Sequence, residues 1–172
     1  MAFRHLSETI LAYSAGPWPL SRYGFGELMA FVFFGVVAVC GTYFLQVGAI
    51  DSLAVAASIP IGCLAAALIS VNNLRDTRTD KAAGKRTIAV RLGEPASRRL
   101  YVVLIATAYG GAVAFALSFH IGVLVVVLTV PFAVRECAGL YRREGAGLNA
   151  SLAGTARLEL FFGLAFVAGV LL

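Results

Sequence analysis

Five blocks of predominantly apolar residues divide this chain: residues 26–47, 52–71, 100–119, 121–140 and 152–172. Each approaches or exceeds the ~20 residues that a helix needs to cross a bilayer's hydrocarbon core. The pattern predicts an all-α fold, a polytopic transmembrane helix bundle of about five spans forming a single transmembrane domain over residues 1–172. Residues 1–13, which include Arg4, His5 and Glu8, are too short and too polar to make a further span. No uninterrupted apolar region follows their charge, so they do not read as a signal peptide.

Composition agrees with a lipid solvent. The 172 residues are 60% hydrophobic and 13% charged, with mean hydropathy +0.87, against roughly 25% charged residues in soluble domains. Cys40, Cys63 and Cys137 sit in apolar runs, are odd in number and show no CxxC spacing. They read as small buried hydrophobes rather than disulfides or metal ligands.

The position of the basic residues says more than the net charge of +5. The turns near residues 48–51 and 120 contain no Lys or Arg. Arg22 precedes the first span, and Arg75, Arg78, Lys81, Lys85, Arg86, Arg91, Arg98 and Arg99 lie at or between the ends of the second and third. Arg142 and Arg143 separate the fourth from the fifth, with Arg135 and Arg157 near the same ends. Five alternating spans put all of these, and Arg4, on one side, which the positive-inside rule makes cytoplasmic. The expectation is a multi-pass protein of the cell (inner) membrane whose motif loop, residues 75–99, is cytoplasmic. Topology thus accounts for the charge, and with no aromatic interleaving in a basic groove nucleic-acid binding is not expected.

One stretch concentrates polar residues, SVNNLRDTRTDKAAGKRT at residues 70–87. Asn72, Asp76 and Asp80 are four residues apart, so a helical continuation of the second span places them on one face. Two carboxylates and an amide there suit a hard cation such as Mg²⁺, which takes one or two carboxylates plus substrate phosphates and water. Arg75, Arg78, Lys81, Lys85 and Arg86 surround them with donors for phosphate oxygens. The implied substrate has an anionic diphosphate head and a tail that enters lipid. Spacing alone leaves the other reading open, a solvated loop whose cations hold topology.

The longer segment NNLRDTRTDKAAGKRTIAVRLG resembles the second aspartate-rich motif of the membrane-embedded aromatic prenyltransferase superfamily. Its pattern N-N-x-R-D-x-x-x-D-x-x-x-G-K-x-T is most similar to the 1,4-dihydroxy-2-naphthoate polyprenyltransferase branch of menaquinone biosynthesis. AYSAGPWPLSRYGFGELMAFVFFGVVAVCGTYF and GLNASLAGTARLELFFGL resemble further parts of that branch. The resemblance implies that Asp76 and Asp80 bind Mg²⁺ bridging a prenyl diphosphate, with Asn72 assisting. It makes Arg75, Lys81, Lys85 and Arg86 diphosphate contacts. The implied reaction joins a polyprenyl group to an aromatic acid with loss of CO₂, giving demethylmenaquinone.

That family has nine helices and two aspartate-rich motifs, and the five spans correspond to its last five. The first motif, NDxxDxxxD, is nowhere in this sequence. The chain therefore resembles the C-terminal three-fifths, and is expected to be truncated at its N-terminus and incomplete as an enzyme. The alternative is a non-catalytic membrane remnant or partner subunit lacking the first motif.

Other features weigh less. Tyr13, Tyr43 and Phe44 are candidate substrate contacts, against the commoner role of membrane aromatics as anchors. Glu27, Arg135 and Glu136 place charge in or at the ends of spans, where it is a functional candidate, and Glu27 follows a glycine-rich loop that could bring it to the aromatic substrate. Pro60 and Pro131 are expected to kink their helices and shape a cavity. Asn149-Ala150-Ser151 is a formal glycosylation sequon on the cytoplasmic side, where it is silent.

Overall fold

The computed structural model describes residues 23–172. Tyr13, Arg22 and the rest of the N-terminal stretch lie outside the described residues. Among the described residues the chain has no strand. It forms α1 (Gly26–Val47), α2 (Ser52–Arg75), α3 (Thr77–Ala82), α4 (Ile88–Leu92), α5 (Glu94–Ser118), α6 (Ile121–Arg142) and α7 (Gly145–Leu171). The five long helices α1, α2, α5, α6 and α7 are each apolar and long enough to cross a membrane. The protein is a multi-pass transmembrane helix bundle.

Local chemistry sets the helix ends. α1 stops at Gly48, whose φ of +78° is the left-handed conformation that glycine adopts without a side-chain penalty. α2 starts at Asp51, whose carboxylate accepts from the Ala54 N–H at 3.0 Å, matching one of the free amides of a helix start.

α2 is the centre of the bundle. Of its most apolar stretch 67% is buried, against 17% for α1 and 33% for α5. Leu64, Val71, Tyr101, Ala108, Phe115, Val123, Val126, Leu158 and Phe162 form the core around it. Outward-facing Phe34, Leu45, Leu117, Leu128 and Val167 are exposed, as lipid-facing side chains are.

Two crossings depend on glycine. A Cβ on Gly35 of α1 would lie 2.5 Å from Gly62 Cα of α2, and one on Gly169 of α7 would lie 2.5 Å from the Gly122 carbonyl of α6. Small residues let membrane helices approach this closely, where van der Waals packing takes over from the hydrophobic effect. α1 opens into π-helical turns over Phe31–Val37 at its crossing.

The two expected proline effects differ. α2 runs as one helix through Pro60 from Ser52 to Arg75. Pro131 marks a change of pitch: α6 is a 3₁₀ helix over Ile121–Thr129 and an α-helix from Val130 onward. Proline suits that position because the first turn of an α-helix needs no amide donor.

Three helices outrun the apolar blocks that predict them. α2 reaches Arg75, α5 begins at Glu94, and α7 begins at Gly145. Hydropathy ends where charge begins, whereas a backbone hydrogen-bond ladder continues for as long as the charged side chains find partners. Arg98, buried in the first turns of α5, donates to the Leu140 carbonyl, to the Arg143 carbonyl at 3.1 Å and to Glu94 at 3.2 Å. The expected loop over residues 75–99 is accordingly mostly helical, holding α3, α4 and the start of α5.

Candidate diphosphate site

Three devices build the site at the end of α2. The first is Arg75. Its Nε and Nη2 donate to the two Asp76 carboxylate oxygens at 2.7 Å each. Nη2 also reaches Asn72 Oδ1 at 2.8 Å, and Nη1 reaches Asn149 Oδ1 of α7 at 3.2 Å. A planar guanidinium can serve this many acceptors at once, which an ammonium cannot. Its hydrogen bonds hold the Asp76 carboxyl below the usual carboxylate range, against partial burial and with help from the Lys85 charge. The pair is about one-third exposed, so it contributes no more than ~1 kcal/mol to stability.

The second device is a hook. α2 ends at Asp76, where φ is −92° and ψ is 8°, and α3 starts at once, with Asp80 N–H donating to the Asp76 carbonyl at 2.8 Å. α3 closes through Gly84 at φ +70°. Gly84 N–H bonds to the Lys81 carbonyl at 3.1 Å and Lys85 N–H to the Asp80 carbonyl at 2.9 Å, the paired bonds of a Schellman ending. This reversal carries Lys85 back over its own helix, where Nζ meets Asp80 Oδ1 at 2.8 Å. Asp80 is buried, so its charge needs this partner.

The third device docks the start of α1 onto the hook. Gly24 has φ +83°, and a Cβ there would lie 2.6 Å from the Arg86 carbonyl, so only glycine fits. Two residues on, Gly26 lies against Asn73 and Ile69. Asn73 Nδ2 then donates to Glu27 Oε1 at 3.0 Å, across 46 residues of sequence.

The structure thus brings Asn72, Arg75 and Asp76 together directly, and joins Asp80 to Lys85 beside them. Asn72, Asp76 and Asp80 do not share one unbroken helix as the spacing predicts, because α2 ends at Asp76. Lys81 and Arg86 are exposed. Tyr43 lies away from this region and donates to Asp51 at 2.6 Å. Glu136 is buried in α6, with Arg143 Nη1 at 3.1 Å, and Arg143 also bonds Ser151 at 3.0 Å. It fastens α6 to α7 and takes no part in the candidate site.

Over residues 9–167 the sequence matches the model of the UbiA prenyltransferase family. This chain belongs to the UbiA prenyltransferase family. It is 41% identical over 162 residues to the 1,4-dihydroxy-2-naphthoate octaprenyltransferase of Mycobacterium tuberculosis, covering 92% of this chain and 54% of that protein. The protein so named from Haemophilus influenzae is 34% identical over 165 residues, covering 94% and 54%. The UbiA prenyltransferase domain-containing protein 1 homolog of Drosophila melanogaster is 30% identical over 142 residues, covering 83% and 39%. The chain spans about half the length of the bacterial relatives it matches. No solved structure matches it.

For a UbiA-family chain the donors at the site fit a hard cation in kind, two carboxylates and an amide oxygen. Among the described residues no three Asp, Glu, His or Cys side chains cluster as a metal cage. Mg²⁺ held here would complete its shell with phosphate oxygens and water, its usual preference. Two residues of the neighbourhood have no role in the sequence reading, Asn73 and the site-facing Asn149. The doubled asparagine of the motif was the available signal for the first. The second carried only a sequon, which points elsewhere.

Proposed function

We propose that this chain acts in transferring a polyprenyl group from a prenyl diphosphate to 1,4-dihydroxy-2-naphthoate, with release of diphosphate and CO₂, giving the hydroquinone form of demethylmenaquinone. The observation that carries the proposal is the pairing of Asp76 with Arg75 and of Asp80 with Lys85 where α2 leaves the apolar bundle. Names borne by the relatives support the acceptor. The positive-inside distribution of the basic residues supports a site on the cytoplasmic face of the cell membrane.

In this reading Asp76, Asp80 and Asn72 would hold Mg²⁺, which when bound neutralises charge on the departing diphosphate. Arg75 and Lys85 take phosphate oxygens by charge-assisted hydrogen bonds, and the exposed Lys81 and Arg86 are placed to draw the anionic head from solution. The prenyl tail follows the apolar helices into the bilayer. Donors fixed before the reaction stabilise the leaving group without reorganising, which lets the allylic C–O bond ionise.

A second reading is a non-catalytic partner that supplies part of a site. The motif at residues 72–87 provides two carboxylates by itself. One assay addresses both. The chain in lipid membranes receives Mg²⁺, 1,4-dihydroxy-2-naphthoate and a radiolabelled polyprenyl diphosphate, with EDTA as control. EDTA-sensitive product that disappears in Asp76→Ala and Asp80→Ala supports the transferase. Transfer at the wild-type level in either variant refutes the assignment, and binding of Mg²⁺–diphosphate without product favours the partner.

A further inference from the structure

Among the described residues, Oε2 of Glu27 is the only buried side-chain nitrogen or oxygen without a hydrogen-bond partner. The residue is 6% exposed. Burying an unmatched carboxylate oxygen is costly, and such groups in folded proteins call for an explanation. The other buried acids of this bundle show the contrast: Asp80 has Lys85, and Glu136 has Arg143. Glu27 has one neutral donor, the Asn73 amide, on Oε1.

Its location narrows what the free oxygen is for. Glu27 is held at the start of α1 by Gly24 against the Arg86 carbonyl and by Gly26 against Asn73. Asn73 precedes Asp76 by three residues of α2, about 4.5 Å along the axis at the rise of an α-helix. Glu27 is therefore bonded to α2 on the bundle side of Asp76. If the diphosphate sits at Asp76 and Asp80, as proposed above, this is the side on which the allylic carbon lies. A diphosphate would be repelled by Glu27, and a prenyl tail has no donor to offer. A hydroxyl on an electron-rich ring has one.

We infer that Glu27 Oε2 accepts a hydrogen bond from a ring hydroxyl of the aromatic acceptor, and that Asn73 is the positioning residue that aims it. The bond orients the ring and draws its hydroxyl proton outward. Electron density on the ring rises, which favours bond formation at the allylic carbon. Repulsion between Glu27 and the acceptor's own carboxylate turns that group away, so the ring enters hydroxyl first.

The inference rests on the proposed reaction, and direct binding separates the two. 1,4-Dihydroxy-2-naphthoate and its dimethoxy analogue are titrated, by their fluorescence, into the chain in lipid nanodiscs. Mg²⁺ with inorganic pyrophosphate is titrated separately. Glu27→Gln should weaken the dihydroxy acid about tenfold, the range for a hydrogen bond to a charged group, and change Mg²⁺–pyrophosphate binding far less, because the glutamine oxygen can still accept from Asn73. The dimethoxy analogue should bind both proteins equally and weakly. A variant that binds the dihydroxy acid as the wild type does overturns the role of Glu27 and leaves the reaction standing. A wild-type chain that binds neither ligand overturns the reaction and this inference with it. Should Glu27→Gln lose its helical spectrum, the wild type decides alone: equal affinity for the hydroxyl and methoxy acids overturns the inference.

Discussion

Replacing Gly84 by alanine asks whether the hook that returns Lys85 to Asp80 depends on one backbone angle. Gly84 has φ +70°, and an added Cβ would meet nothing within 4 Å. The substitution creates no clash, so its whole cost is conformational. An L-residue in the left-handed region costs ~1–2 kcal/mol, and the lower end applies to alanine in a single turn. At ~1.4 kcal/mol per factor of ten, 1 kcal/mol raises the open-to-closed ratio of the hook about fivefold. The reporter is the Lys85 amide, whose bond to the Asp80 carbonyl is 2.9 Å long and closes the hook. Its hydrogen exchange in detergent micelles should quicken about fivefold in Gly84→Ala. In Gly84→Asn it should quicken less, since asparagine tolerates this conformation better. Mg²⁺–pyrophosphate affinity should fall in the same order, because an open hook takes Lys85 away. Exchange at the wild-type rate in Gly84→Ala would refute the reasoning, as would equal acceleration in both variants.

Two further substitutions probe the site's electrostatics and its scaffold. Arg75→Gln removes the main cause of the low Asp76 pKa. A depressed carboxylate contributes stability above its ordinary value near 3.8 and loses it as pH falls through the lowered value. Without Arg75 the opposing effect of burial remains, so the acid limb of Mg²⁺–pyrophosphate binding, titrated from about pH 3 to pH 6, should move to higher pH. An unmoved midpoint would contradict the assigned cause. Gly35→Ala places a Cβ 2.5 Å from Gly62 Cα and 2.9 Å from the Ser58 carbonyl, both backbone atoms that cannot step aside. It should cost about 1–3 kcal/mol as overpacking, seen as a lower thermal midpoint in detergent. Gly41→Ala, with nothing within 4 Å, should leave that midpoint level or raised.

What was legible in the sequence was whatever has a short period or a local cause. Twenty-residue apolar blocks are read one helix at a time, so the five spans emerge in the right order. Four-residue spacing brings Asn72 and Asp76 to one place, and the run D-K-A-A-G-K already contains the glycine that turns Lys85 back. What escaped was long-range or dependent on backbone angle. Asn73 meets Glu27 across 46 residues, and no periodicity links them. Gly24 reads as a loop glycine until the Arg86 carbonyl is found where its Cβ would be. Arg98 reads as a topology charge, yet it is buried and satisfies carbonyls at the end of α6. The end of α2 and the start of α5 extend beyond their apolar blocks for the same reason, since a charge that finds a partner does not end a helix.

The two ion pairs of the motif explain how the proposed site for a metal and a diphosphate can be stable before either arrives. Two carboxylates four residues apart repel each other, the more so where Asp80 is buried. Each here has its own cation, Arg75 on Asp76 at 2.7 Å and Lys85 on Asp80 at 2.8 Å, and Lys85 also acts on Asp76 through space. Under the proposed reaction, Mg²⁺ bound to a diphosphate brings a positive partner for the carboxylates and negative partners for Arg75 and Lys85. Partners can then be exchanged without leaving any buried charge alone, the condition under which a buried ion pair is not strongly destabilised. Glu27 is the exception, because nothing in that exchange reaches Oε2. A third component, carrying a donor, is what its geometry is still missing.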